Sequence, residues 1–132
     1  MPLPDPARKI QKVLVVDDEP DIRLVGQMGL ELAGQLQVLL AASGEEALGI
    51  AAREQPDAIL LDVMMPRMDG LATLDRLRAS PQTAHIAVIF MTARVHRHEV
   101  DGYLARGAKG VIFKPFDPMT LSQEIGRIAG SG

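Results

Sequence analysis

The sequence predicts an α/β domain built on an open, doubly wound parallel sheet. Two observations carry this prediction. Five short apolar runs, at 13–16, 36–41, 58–61, 86–91 and 110–113, are spread along the chain. Most are continuous rather than alternating, the pattern of strands buried on both faces. Between them lie segments with apolar residues at helical spacing and recognisable helix ends. Five strands alternating with five helices imply right-handed crossovers and helices on both faces of one sheet.

The elements follow in order. Pro2, Pro4 and Pro6 mark an irregular leader over 1–10, because proline cannot donate to a helix or a sheet ladder. An ordered domain is expected over 11–129, with a tail at 130–132. The first helix, about 21–33, carries Gly26 and Gly29. Each costs about 1 kcal/mol against alanine, so tertiary packing must hold this helix. The second run starts from an alternating Gln35-Leu-Gln-Val-Leu, which suits an edge strand. Ser43-Gly-Glu-Glu46 is a capping box for the next helix. Asp69 can cap a helix carrying Leu71, Leu74 and Leu77 on one face. Asp117-Pro118 places a good N-cap before a proline at the first helical position. Leu121, Ile125 and Ile128 then form an apolar stripe.

Composition narrows the function. The 132 residues suit one domain, and 47% of them are hydrophobic, enough for a sizeable core. Fourteen basic against 17 acidic residues give a net charge of −3, with no footprint for nucleic acid or an anionic membrane. There is no cysteine, which removes disulfides, thiol nucleophiles and thiolate metal sites. No apolar run approaches the roughly 18 residues of a membrane helix, and the N-terminus lacks the apolar stretch of a signal peptide. The expectation is a cytoplasmic protein.

Ligands of doubly wound sheets bind beyond the carboxyl ends of the strands, so the strand-end residues matter most. The first strand ends in Asp17-Asp18, the third in Asp62, the fourth in Thr92 and the fifth in Lys114-Pro115. Three carboxylates, one hydroxyl and one ammonium should therefore converge on one edge. Carboxylates crowded together repel, and a cation is expected among them. Hard oxygen donors without His or Cys favour magnesium, with manganese as a second candidate. An aspartate oxygen in this setting can be a nucleophile and form an acyl phosphate. The cation, lysine and hydroxyl supply the charge neutralisation and positioning that phosphoryl transfer requires.

This constellation resembles the receiver domains of two-component response regulators, in particular the single-domain type of the chemotaxis response regulator. The matching segments are Val13-Leu-Val-Val-Asp-Asp-Glu-Pro20, Leu61-Asp-Val-Met-Met-Pro-Arg-Met-Asp-Gly70, Phe90-Met-Thr-Ala93 and Lys114-Pro-Phe116. The resemblance implies a flavodoxin-like fold with strand order 2-1-3-4-5, an order for which the chemotaxis regulator is itself a standard example. It implies phosphorylation on Asp62 by a histidine kinase or a histidine phosphotransfer protein. It assigns Asp18 to magnesium directly, Asp17 mainly through water, and the backbone carbonyl of Met64 as a further ligand. Thr92 and Lys114 would contact the phosphoryl group, with the Lys114-Pro115 bond cis. Such a domain assists its own phosphorylation and hydrolysis but is modified in the process, so it is not an enzyme. The expected kinase-docking surface is the first helix near 22–28. The expected output face is the fourth helix, fifth strand and fifth helix. With the chain ending near the last helix, output to a downstream protein through protein–protein contacts is expected, from a monomer or a phosphorylation-linked dimer.

One position departs from the family. Most members carry Tyr or Phe three residues before the lysine, where the ring moves together with the threonine. Here that switch position is Val111. Tyr103 and Phe113 do not stand at the equivalent place and receive no switch role from the sequence. Met64 and Arg94, two residues beyond Asp62 and Thr92, are expected to tune the phosphoryl lifetime toward slow loss. Val111 keeps open a second reading, an interaction module that works without phosphorylation. A phosphatase using an aspartyl-phosphate is disfavoured because Met64, where a general acid would stand, cannot donate a proton. His85, His96 and His98 are expected in solvent, with the last two on different sides of a helix.

Overall fold

The computed structural model describes residues 10–93 and 96–130. The predicted leader up to residue 9, residues 131–132 of the predicted tail, and Arg94 lie outside the described residues. The element order is β1 (Lys12–Val16), α1 (Pro20–Leu32), β2 (Gln37–Ala41), α2 (Gly44–Glu54), β3 (Ala58–Asp62), α3 (Gly70–Ala79), β4 (Ala87–Thr92), α4 (Arg97–Ala105), β5 (Gly110–Phe113) and α5 (Leu121–Gly130). All neighbouring strands pair in parallel, in the order β2-β1-β3-β4-β5. The alternating second run is indeed an edge strand.

The apolar runs bury both of their faces, as continuous hydrophobicity requires. Leu14, Val16, Ile59, Leu61, Val88 and Phe90 pack on one side of the sheet, against Ala47, Ala51, Leu74, Leu77 and Tyr103 from α2, α3 and α4. Val13, Val15, Leu60, Ile89, Met91 and Ile112 pack on the other, against Leu30, Leu121, Ile125 and Ile128 from α1 and α5. Period-two alternation along each strand thus feeds two separate cores.

Local signals act as read, with two corrections. Ser43 Oγ accepts from the Glu46 N–H at 3.1 Å, and Asp69 Oδ1 accepts from the Ala72 N–H at 2.8 Å. Gly29 is required by packing: a Cβ there would drive into the carbonyl of Pro118, so α1 and the segment before α5 meet without a side chain between them. The first correction concerns Asp117-Pro118. α5 starts at Leu121, and Pro118 lies in a turn instead of at the first helical position. Asp117 Oδ1 accepts from the Met119 N–H at 2.9 Å, and the first bond into the helix runs from Glu124 N–H to the Thr120 carbonyl. Aspartate serves turns and helix caps through the same side-chain-to-backbone bond, and here the turn takes it. The second correction concerns the histidines. His96 precedes α4 and His98 lies in its first turn, so both are exposed but on neighbouring sites, with ring centroids 6.2 Å apart.

Candidate functional site

Because the sheet is parallel, every strand delivers its C-terminal residue to one edge. Asp17 and Asp18 follow β1, Asp62 ends β3, Thr92 ends β4 and Lys114 follows β5. All five residues predicted from the sequence meet there. One carboxylate oxygen each from Asp17, Asp18 and Asp62 lies within 4.8 Å of the others. Asp17, Asp62 and Thr92 are buried, and Asp18 is exposed. Lys114 Nζ donates to Asp17 Oδ2 at 2.8 Å and lies 3.2 Å from Asp62 Oδ1. The Lys114-Pro115 bond is cis.

The backbone fixes this arrangement. Asp17 Oδ1 accepts from the Glu19 N–H at 2.9 Å, and the Asp17 carbonyl accepts from Arg23 Nη1 at 2.7 Å. The Lys114 N–H donates to the Thr92 carbonyl at 2.9 Å, tying the end of β5 to β4. The Gly70 N–H donates to the Val63 carbonyl, which seats the start of α3 directly on the end of β3. That approach requires glycine, since a Cβ at residue 70 would collide with the Asp62 carbonyl oxygen. Among the described residues no buried side-chain nitrogen or oxygen lacks a partner.

Electrostatics follow from burial and crowding. The Asp62 carboxyl is pushed up from 3.8 to about 6, first by burial and then by the negative charge of Asp17; Lys114 and the Met64 N–H oppose the rise without cancelling it. Burial by itself would lower the Lys114 ammonium. The bond to Asp17 and the charges of Asp17 and Asp62 outweigh it, and the net direction is upward. One ammonium thus compensates two buried carboxylates incompletely. The remaining negative charge and an all-oxygen donor set suit a hard divalent cation.

Three features of the site were not drawn from the sequence. Arg23 holds the Asp17 carbonyl and left no motif. Gly70, next to the Asp69 cap, has its close contact with the β3 backbone. Tyr103, on α4, lines one cavity with Thr92 and Met64. The Met64 side chain is exposed. Val111 is half-buried and faces Phe90 across the β4–β5 pairing.

Residues 13–126 match the family of the response regulator receiver domain. The chain belongs to that family. It is 41% identical over 115 residues to the response regulator PleD of Caulobacter vibrioides, covering 86% of this chain and 25% of that protein. It is 37% identical over 115 residues to the alkaline phosphatase synthesis transcriptional regulatory protein PhoP of Bacillus subtilis, covering 87% of this chain and 47% of that one. The receiver chain therefore spans less than half the length of these curated relatives. Among solved structures it resembles the Vibrio cholerae chemotaxis protein CheY4, with a TM-score of 0.83, 34% identity, and coverage of 90% of this chain and 98% of that one. It also resembles the receiver domain of a signal transduction histidine kinase from Syntrophus aciditrophicus, with a TM-score of 0.77, 31% identity, and coverage of 90% and 89%. The receiver fold, its strand order and its place in two-component signalling are thereby settled. Among the described residues no helix is long and apolar enough to cross a membrane.

Proposed function

We propose that this receiver domain acts as a stand-alone phosphoacceptor, taking a phosphoryl group on Asp62 from a histidine kinase or histidine phosphotransfer protein in the cytoplasm. The observation that carries this reading is the buried Asp62 carboxylate, with the Lys114 ammonium 3.2 Å away and two further carboxylates beside it. An Asp62 oxygen attacks the phosphorus of a phosphohistidine. The P–O bond forms as the P–N bond breaks, and the imidazole nitrogen leaves with its electron pair. Lys114 exchanges its ion pair with Asp62 for a phosphoryl oxygen, while the Thr92 hydroxyl donates to another. Asp17, Asp18, Asp62 and the Met64 carbonyl would hold magnesium, or manganese in its place. The bound ion supplies charge neutralisation at the phosphoryl oxygens.

Two exposed apolar surfaces support separate input and output partners. Leu24, Val25 and Met28 are exposed on α1 beside the site and suit docking of the phosphodonor. Leu104 and Phe113 are exposed on the α4–β5–α5 face and suit a downstream protein or, after phosphorylation, a second copy of this chain.

The test is intact mass after incubation with magnesium and acetyl phosphate. The expected result is a gain of about 80 Da that requires magnesium and is absent in Asp62→Asn. Val111, where the family carries a ring, favours a second reading in which partner binding does not depend on phosphorylation. Full partner binding and cellular function in Asp62→Asn would establish that reading and sink the first.

A further inference from the structure

The turn 17–19 joins the end of β1 to the start of α1 and carries two of the three clustered carboxylates. All the polar groups of Asp17 are bonded. Its N–H donates to the Ala41 carbonyl at 3.1 Å, and Oδ1 accepts from the Glu19 N–H at 2.9 Å. Oδ2 accepts from Lys114 Nζ at 2.8 Å, and the carbonyl accepts from Arg23 Nη1 at 2.7 Å. Asp18 is exposed, so the backbone of this turn sets where its carboxylate stands.

Arg23 is the half-buried member of this set that lies on α1, and its guanidinium bonds the Asp17 carbonyl instead of a carboxylate. α1 begins without a side-chain cap: Glu19 stands at the N-cap position and its side chain bonds no first-turn N–H. The bond from Arg23 back to residue 17 spans six positions and holds the junction between strand and helix. A guanidinium is a rigid planar fork, and its bond to a carbonyl is charge-assisted. Fixing the peptide between Asp17 and Asp18 fixes the direction in which both side chains leave the backbone.

We propose that Arg23 is a positioning residue for magnesium: by holding the Asp17 carbonyl it sets the Asp17–Asp18 peptide, and with it both carboxylates, before the ion binds. The inference rests on the reading of those carboxylates as magnesium ligands. Groups that orient metal ligands without touching the metal carry about 10–100-fold in affinity. A consequence is that exposed Leu24 and Val25, next to Arg23 on the surface proposed for the phosphodonor, stand on a helix fixed relative to the metal turn.

The sign of the effect separates positioning from charge. Arg23 places a cation near three carboxylates, so removing it would by charge alone strengthen their attraction for magnesium. Loss of positioning weakens binding instead. Magnesium is titrated into the full chain without a phosphodonor, and the half-saturating concentration is read from the Asp18 and Met64 amide resonances. Arg23→Gln is expected to bind about tenfold more weakly, and Arg23→Lys, which restores a charged donor, to recover part of the loss. With acetyl phosphate, Arg23→Gln should need about tenfold more magnesium for half-maximal phosphorylation yet reach the natural rate at saturation. A merely structural role lowers the melting temperature and leaves the half-saturating concentration of the folded protein unchanged. That result, or tighter binding in Arg23→Gln, overturns the proposal. In the natural chain the Arg23 guanidinium N–H groups are expected to exchange with water more slowly than those of exposed Arg67; equal exchange overturns the proposal whether or not either variant folds. A natural chain that binds no magnesium overturns the metal-ligand reading, and this inference with it. Magnesium binding without any added phosphoryl mass overturns the phosphoacceptor reading alone.

Discussion

The two sides of the strand-end edge are built in opposite ways. On the side of β1 and β3, Asp17 and the backbone around Asp62 are held. Asp17 is fully buried and bonded to Glu19, Arg23 and Lys114, and α3 sits on the Asp62 backbone with no room for a Cβ at Gly70. On the side of β4 and α4, Thr92 and Tyr103 face a cavity, and α4 buries one residue only. Phosphoryl transfer needs charges fixed in advance, because reorganisation during the reaction costs rate. Transmission of a signal needs an element with somewhere to move. In this chain fixed charge and open space lie on adjacent strands.

Breaking the fixed side should produce the largest effects. Lys114→Met removes the ammonium shared by two buried carboxylates, and leaving such charges uncompensated costs about 3 kcal/mol. Chemical denaturation in a metal chelator should show that loss, and added magnesium should recover part of it. A variant as stable as the natural chain in chelator would mean that Asp17 and Asp62 do not depend on Lys114.

A pH effect comes next. The folded-state value of Asp62 is raised to about 6, so its contribution to stability is fully present below the ordinary carboxylate value and is lost as pH rises through 6. In chelator, the natural chain should therefore lose on the order of 2 kcal/mol relative to Asp62→Asn between about pH 4 and pH 7. Parallel stability curves for the two proteins would contradict the crowded-carboxylate description.

A pair of glycines then compares the two sides directly. Gly70→Ala forces a methyl group into the β3 backbone and should cost about 2 kcal/mol. Gly102→Ala, inside α4 and facing open space, should stabilise by up to about 1 kcal/mol through helix propensity. Denaturant titrations of both variants check the pair, and equal effects would erase the contrast between a filled and an open side.

Most of the candidate site was legible because strand-end chemistry is written locally. Asp17, Asp18, Asp62, Thr92 and Lys114 each stand where an apolar run stops, and each arrives at the edge. Asp117 was harder. Its side chain can serve a turn or a helix start; here it bonds the Met119 N–H in a turn, and Pro118 lies against Gly29 of α1. Tyr103 carried no signal at all, since one buried ring in a short helix makes no apolar stripe.

The sequence by itself determined the element types, the two buried faces of the sheet and the acidic, lysine-bearing chemistry of its edge. These depend on periodicity and on residues adjacent in the chain. Only the tertiary structure decided which of those residues touch and where space remains. Lys114 meets Asp17 across 97 positions because the crossovers bring β5 to the same edge as β1. The cavity between Thr92 and Tyr103 exists because of how α4 is set against β4. Contacts and voids between elements depend on relative placement in space, which no local pattern encodes.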